Sequence, residues 1–117
     1  MKATIERATL LKSLGHVQSV VERRNTIPIL SNVLIEASEN GAIRLTATDL
    51  DLQIVETIAG DVEIPGATTV SAHTLFEIAR KMPDGSQVQL NAADGRMAVN
   101  AGRARFSLST LPRDDFP

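Results

Sequence analysis

The sequence contains no cysteine, tryptophan or tyrosine, and only three phenylalanines among its 117 residues. Without cysteine it can form no disulfide, thiol nucleophile or thiolate metal site, and a reducing compartment is compatible. The scarcity of aromatic rings argues against a platform that stacks unpaired bases. No apolar run approaches the roughly 20 residues of a membrane span, and the first ten residues lack the apolar core of a signal peptide. We therefore expect a cytoplasmic protein.

Motifs for enzyme chemistry are also missing. The serines lie in no nucleophile motif, and the sequence has no glycine-rich phosphate loop. Asp49 and Asp51 would share one face of a strand, but no further ligand lies near them in sequence, so a turn-and-edge role is favoured over a metal pair or an acid-base pair. His16 and His73 fall on the polar faces of predicted helices, where solvated histidines are commoner than metal ligands. The sequence predicts a protein that is not an enzyme and needs no metal or cofactor.

The residues that are present fit one globular domain with an uneven charge distribution. The chain is 43% apolar with a formal net charge of -2, which is ordinary for a folded soluble domain of this length. Residues 7–24 contain four basic residues and one acidic residue, whereas residues 36–63 contain seven acidic residues and one basic residue. We expect a basic part and an acidic part of the surface.

Two amphipathic helices and eight strands are predicted from periodicity and turn signals. Apolar residues at spacings of three and four predict a first helix from about Arg7 to Glu22, with Leu10, Leu14, Val17 and Val21 on its buried face. A second helix, from Ala72 to Met82, has Ser71 as its N-cap and buries Leu75, Ile78, Ala79 and Met82. The predicted strands are Lys2–Glu6, Asn32–Ala37, Ala42–Thr48, Asp51–Ile58, Ala67–Val70, Gln87–Ala92, Arg96–Asn100 and Arg103–Thr110, with residues 60–66 as a connection.

The order of these elements is strand, helix and three strands, used twice. With an offset of 65 residues, Thr4 and Leu10 fall on Thr69 and Leu75, and with an offset of 54 Gly41 falls on Gly95. One helix and one small sheet cannot hide their apolar faces alone, so we expect the two halves to pack together. The predicted fold class is α+β: a duplicated β-α-β-β-β unit with two helices packed on one side of antiparallel sheets.

The last predicted strand has one apolar and one cationic face. Ala104, Phe106 and Leu108 alternate with Arg103, Arg105, Ser107 and Ser109. Charge on an edge strand can simply deter stray pairing, or the free edge can dock on an acidic partner. With the offset of 54, Arg103 and Arg105 fall on Asp49 and Asp51, so equivalent positions in the two halves carry opposite charges. We expect such ends to favour head-to-tail association, which builds rings when the rotation closes.

A second candidate site is the polar face that the two helices would share. Its basic residues are Lys12, Arg23, Arg24, His73, Arg80 and Lys81. This face is either simply solvated, as Glu77 in the second helix suggests, or it contacts nucleic-acid phosphates without sequence preference. If it binds nucleic acid, weak contact with a duplex backbone fits better than tight binding of a single strand.

Several segments resemble the first domain of the bacterial DNA polymerase III beta subunit family, the sliding clamps. They are MKATIERATLLKSL, NTIPILSNVLI, TATDLDL, PGATTV and GRARFSLSTLPRDDFP, and the resemblance extends over essentially the whole chain. It implies the DNA-clamp fold and a processivity factor in DNA replication. In that family three similar domains form each subunit, and two subunits close head to tail around duplex DNA, with helices lining the hole.

The resemblance also implies roles for individual residues. The DNA-facing side would include Arg24 and His73, and arginine is common in the family at the position of His73. We add Arg23, Lys12 and Arg80 from the basic face that the two helices would share. The subunit interface would comprise Arg96, Arg103, Arg105, Phe106 and Leu108, with Thr74 and Ile78 from the second helix. The arginines would face acidic residues on the third domain of the other subunit.

The resemblance further implies that residues 1–111 are the N-terminal domain of a longer protein. Residues 112–117 would begin an interdomain linker. The family's polymerase and clamp-loader peptides bind between the second and third domains, so this chain alone would neither encircle DNA nor bind them. A stand-alone nucleic-acid-binding or protein-interaction module is the alternative interpretation.

Overall fold

The described part of the computed structural model, residues 1–21 and 27–117, consists of two α-helices and nine strands in two antiparallel sheets. Glu22, Arg23 and Arg24, which sequence patterns assigned to the first helix and to the DNA-facing side, lie outside the described residues. The elements in chain order are β1 (Lys2–Glu6), α1 (Arg7–Gln18), β2 (Asn32–Ala37), β3 (Ala42–Thr48), β4 (Gln53–Ala59), β5 (Asp61–Ile64), β6 (Gly66–Ser71), α2 (Ala72–Lys81), β7 (Gln87–Ala93), β8 (Arg96–Ala101) and β9 (Ala104–Ser109).

The two halves exchange their first strands. One sheet has the order β5-β1-β7-β8-β9, and the other has the order β4-β3-β2-β6. Strand β1 therefore completes the sheet of the second half, and β6 completes the sheet of the first half. The sequence predicted the duplicated order of elements and that the halves pack together, but it did not predict the exchange, which joins residues as distant as Ile5 and Val88.

The connection between the halves contains a strand that the sequence analysis missed. Residues 61–64 form β5, which pairs with β1 and brings Val62 opposite Ala3. The segment is short and lies between Gly60 and Pro65, so its pattern resembles that of a loop. The third strand of the first half also begins later than predicted, at Gln53 rather than Asp51.

Both helices bury most of the residues that their periodicity indicated. On α1 these are Leu10, Leu14 and Val17, and on α2 they are Leu75, Ile78 and Ala79. The other two, Val21 and Met82, are buried just after the helices end. The predicted cap of α2 is confirmed, because Ser71 Oγ accepts a hydrogen bond from the Thr74 N–H at 3.3 Å. The predicted C-terminal end of α1 is wrong. The helix ends at Gln18, where the Ser19 hydroxyl donates to the His16 carbonyl at 2.6 Å and the β-branched pair Val20-Val21 follows.

Arg7, at the start of α1, holds the C-terminal end of α2. Its Nε donates to the Ala79 carbonyl at 3.1 Å, and one terminal nitrogen donates to the Arg80 carbonyl at 3.0 Å. The other terminal nitrogen lies 2.7 Å from Asp84, whose side chain is 97% exposed. A cation that donates to the last carbonyls of a helix satisfies their hydrogen bonding and favours the helix dipole.

Arg7→Ala is therefore expected to destabilise the fold by about 1.5–3 kcal/mol, the usual contribution of hydrogen bonds from a charged donor. The matched control is Asp84→Ala, which removes only the exposed ion pair and should cost less than about 1 kcal/mol. Urea unfolding of the two variants measures both changes. Equal losses would show that the ion pair, and not the helix end, is what Arg7 stabilises.

Candidate nucleic-acid and subunit interfaces

The two helices lie antiparallel in one layer. The start of α1 meets the end of α2 through Arg7, and the end of α1 meets the start of α2, where His73 Nε2 lies 2.8 Å from the Val21 carbonyl oxygen. Between these contacts, a Cβ added at Gly15 would meet the ring of Phe76 at 3.5 Å. The shared helical face that the sequence predicted therefore exists, with both helices neighbouring each other along their length.

The predicted basic residues of this face differ in whether their charged groups contact other side chains. Lys12 is exposed on α1. Arg80 is also exposed, but its guanidinium lies 3.0 Å from Glu77 Oε1 and 5.8 Å from the centre of the Phe76 ring. Lys81 follows it and is exposed. The face thus presents cations on both helices, and Glu77 neutralises part of the charge on α2.

Neither histidine is simply solvated, which corrects the expectation from the helical pattern. His16 is exposed, but its Nδ1 lies 2.8 Å from Glu56 Oε1 on β4. His73 is half-buried, and its Nδ1 is buried without a hydrogen bond to any described residue. The pattern placed both residues on the polar face correctly, but it could not show the strand or the helix end that each one contacts.

The strand β9 lies at the free edge of its sheet, as predicted. Phe106 and Leu108 are half-buried opposite Val99 and Met97 of β8, and Arg105 is exposed on the other face. Arg103 lies in the turn just before β9 rather than on the strand. Within the described residues, neither Arg103 nor Arg105 makes an ion pair.

Arg96 on β8 belongs to the same exposed face of the sheet. Its Nε donates to the Ser107 hydroxyl at 2.9 Å and a terminal nitrogen donates to the Ser109 hydroxyl at 3.2 Å. The other two predicted interface residues lie one turn apart on α2. Thr74 is exposed beside the cap residue Ser71, whereas Ile78 is only 7% exposed. The β9 edge therefore presents three arginines and two half-buried apolar side chains. Arg96 is hydrogen-bonded to serines of β9, whereas Arg103 and Arg105 make no ion pair within the described residues.

The acidic pair lies in the turn between β3 and β4. Asp49 Oδ1 accepts hydrogen bonds from the backbone N–H groups of Leu52 at 2.6 Å and Asp51 at 2.9 Å. These two bonds hold the pKa of Asp49 below its ordinary value, because they favour the ionised carboxylate. The bond from Leu52 has the larger effect and the bond from Asp51 the next largest. Leu50 between the two acids has a φ of 81°. The turn role predicted for Asp49 is confirmed, although the pair does not lie on an edge strand as expected.

The segment after β9 packs back on the other sheet. Thr69 and Leu111 exchange backbone hydrogen bonds of 3.3 and 3.1 Å, and the Thr69 hydroxyl also donates to the Leu111 carbonyl at 2.8 Å. Further along, the Arg113 guanidinium lies 3.0 Å from Glu36, which also binds Arg44. No sequence pattern indicates these contacts, because the partners are far apart along the chain.

Among the described residues, no helix combines the length and the apolar character needed to cross a bilayer. The same residues bring together no cluster of three metal-ligating side chains of the histidine or carboxylate type.

Comparison with known proteins identifies the family. Residues 1–117 match the family described as "DNA polymerase III beta subunit, N-terminal domain". The whole chain is 56% identical to part of the beta sliding clamp of Caulobacter vibrioides and 45% identical to part of that of Escherichia coli K12, and covers 32% of each.

Solved structures show the same likeness in three dimensions. The chain superposes on Caulobacter crescentus pol III beta with a TM-score of 0.96 at 55% identity, covering all of this chain and 32% of that one. The DNA polymerase III subunit beta from Pseudomonas aeruginosa gives 0.95 at 42% identity and the same coverages. The chain thus spans about a third of the length of the relatives it matches. It has the clamp fold and belongs to the DNA polymerase III beta subunit family, whose N-terminal domain it matches from end to end.

Proposed function

We propose that this chain is the first domain of a ring-shaped DNA polymerase processivity factor. The observation that carries the proposal is the match of the whole chain to part of proteins named beta sliding clamps, for example at 56% identity to that of Caulobacter vibrioides. The geometry agrees with that role at two places, the helical layer and the free edge of β9. The proposed factor is not an enzyme: it retains the polymerase by enclosing the duplex, so it needs no cofactor, and replication places it in the cytoplasm.

The helical layer is the side proposed to face duplex DNA. Lys12 and Arg80 are exposed on it, and Arg23 and Arg24 follow α1 closely in sequence. Contacts of lysine and arginine with phosphates are independent of base sequence and weaken with salt. Weak contacts suit a ring that must slide, because tight ones would stop it. Partial neutralisation of Arg80 by Glu77 fits this requirement.

The β9 edge is the side proposed to meet a second subunit. Arg103 and Arg105, which make no ion pair within the described residues, would contact acidic residues of the partner's third domain. Phe106 and Leu108 would supply apolar contact. Arg96, which is hydrogen-bonded to Ser107 and Ser109, would lie at the border of this interface. Thr74 would contribute from α2, whereas the burial of Ile78 leaves it a small part. The polymerase and the clamp loader would bind domains outside residues 1–117. We propose residues 1–111 as the domain and 112–117 as the start of the linker.

The experiment that tests this function separates enclosure of DNA from ordinary binding. The full-length protein is loaded by its clamp loader and ATP onto a nicked circular plasmid, and retention is measured by gel filtration in high salt. We expect retention on the circle and loss within minutes of cutting it, because a ring slides off a free end. Phosphate binding alone falls by about a thousandfold or more between 50 and 200 mM salt. Release by salt from intact circles, with no effect of cutting, would contradict the proposal.

A further inference from the structure

Glu77 is the only carboxylate on α1 and α2, all of whose residues are described. The lysines and arginines of the two helices are Arg7, Lys12, Arg80 and Lys81. Arg7 binds the end of α2, whereas the other three are exposed. A carboxylate on this layer repels phosphates, so it opposes the DNA contact proposed for its neighbours.

The carboxylate of Glu77 contacts one of these cations directly. Its Oε1 lies 3.0 Å from a terminal nitrogen of Arg80, about one helical turn further along α2. The Arg80 guanidinium also lies 5.8 Å from the centre of the Phe76 ring, within the range of a cation–π contact. Two neighbours on its own helix therefore hold Arg80 at the surface.

The ion pair of Glu77 and Arg80 is open to solvent. The side chain of Arg80 is 57% exposed and that of Glu77 is 44% exposed. Exposed ion pairs contribute little to folding, because water competes for both charges. The guanidinium is therefore accessible to an arriving phosphate, but the phosphate must compete with a carboxylate that is already in contact with it.

We infer that Glu77 weakens the contact of Arg80 with DNA by exchanging with phosphate as the partner of the guanidinium. As the proposed ring moves along the duplex, Arg80 leaves one phosphate and returns to Glu77 before it meets the next. Because Glu77 replaces each phosphate that is lost, the energy of the ring varies less from one position on the duplex to the next. The inference rests on the proposed function, since it assigns Glu77 a part in the same DNA-facing side.

The first test measures binding of the full-length protein to a labelled linear duplex over a salt series. Glu77→Gln removes the charge and keeps the size of the side chain. We expect it to bind about 1.5- to 5-fold more tightly, which corresponds to the loss of one competing exposed ion pair. We also expect a steeper salt dependence, because Arg80 then neutralises a phosphate more completely. Binding equal to that of the unmodified protein would overturn the inference.

The matched control is Glu39→Gln, which makes the same change of charge in the turn between β2 and β3. Glu39 is exposed and lies outside the two helices. We expect this variant to bind as the unmodified protein does. If it tightens binding as much as Glu77→Gln does, net charge explains both results and the inference is wrong.

A double variant shows whether Glu77 acts through Arg80. When Arg80→Ala is also present, we expect Glu77→Gln to have no further effect on binding, because the two residues act as a pair. Tightening of the same size in both backgrounds would mean that the carboxylate repels DNA directly, and would overturn partner exchange.

Diffusion of the loaded ring tests the consequence for sliding. Fluorescence tracking on stretched duplex is expected to show Glu77→Gln moving about 1.5- to 5-fold more slowly than the unmodified protein, with Glu39→Gln unchanged. Diffusion of Glu77→Gln as fast as that of the unmodified protein would overturn the role in sliding.

Single substitutions of the cations separate this inference from the proposed function. If Lys12→Ala, Arg80→Ala and Lys81→Ala all bind the duplex as well as the unmodified protein does, the helical layer does not face DNA, and both proposals lose that side. If they weaken binding but Glu77→Gln does not tighten it, only the inference about Glu77 is wrong.

Discussion

Replacing Arg103 and Arg105 together with glutamate is expected to dissociate the proposed ring into single subunits. Both arginines are exposed at the β9 edge, and neither has an ion-pair partner within the described residues. Their charge is therefore available to a neighbouring subunit, as head-to-tail closure requires. Breaking one close interfacial charge pair costs about 2–5 kcal/mol, which corresponds to a dissociation constant raised by about 30-fold to several thousandfold.

Sedimentation over a dilution series measures this change. The matched control is Lys12→Glu with Lys81→Glu, which changes the net charge by the same amount on the helical layer. We expect the control to assemble normally and to bind DNA more weakly, and the β9 variant to lose assembly. Surface substitutions cost little folding free energy, so both variants should unfold near the unmodified midpoint. Normal assembly of the β9 variant would refute docking through this edge and leave the protective role of its charges.

Leu75→Ala is expected to cause the largest loss of folding stability among single substitutions in α2. The side chain is fully buried, at 0% exposure, in the core that both helices and both sheets share. Truncating a buried leucine costs about 2–5 kcal/mol, because it removes apolar contact and leaves a cavity. Domains are stable by only about 5–15 kcal/mol in total, so we expect the thermal midpoint to fall by roughly 10 °C or more.

The internal repeat provides a matched comparison for this variant. Leu10 occupies the equivalent position on α1 and is also 0% exposed, so Leu10→Ala should cost a similar amount. Lys81→Ala, on the exposed side of α2, should change the free energy of unfolding by less than about 0.5 kcal/mol. Thermal and urea unfolding of the three variants measure these differences. A Leu75→Ala midpoint equal to that of Lys81→Ala would contradict the packing described for α2.

What the sequence could predict is the part of the fold that depends on neighbouring residues. The cap at Ser71 and the buried face of α2 follow from local spacing, and both are confirmed. The position of β9 at a sheet edge followed from its alternation and charge. The duplicated order of elements followed from comparison of the two halves, and the family followed from segments spread over the whole chain.

What it could not predict depends on contacts between distant residues. The bond from Arg7 to Ala79 spans 72 positions, and nothing near Arg7 indicates it. The short strand β5 exists because β1 offers it an edge, and its own residues resemble a loop. The same limit applies to the candidate site. The pattern placed His73 on the correct face, but it could not indicate the hydrogen bond from its ring to the Val21 carbonyl, which lies 52 positions away.

The exchange of β1 and β6 between the halves has a consequence for synthesis on the ribosome. Strand β1 is made early, but its partner β7 lies more than 80 residues later, with Ile5 opposite Val88. The sheet of the first half can close once β6 has emerged, whereas the sheet that contains β1 also needs β7, which follows later in the chain. The sheet that contains β1 therefore cannot close before most of the second half has been translated, so the domain is expected to complete its fold late, with β1 lacking its β7 neighbour until then.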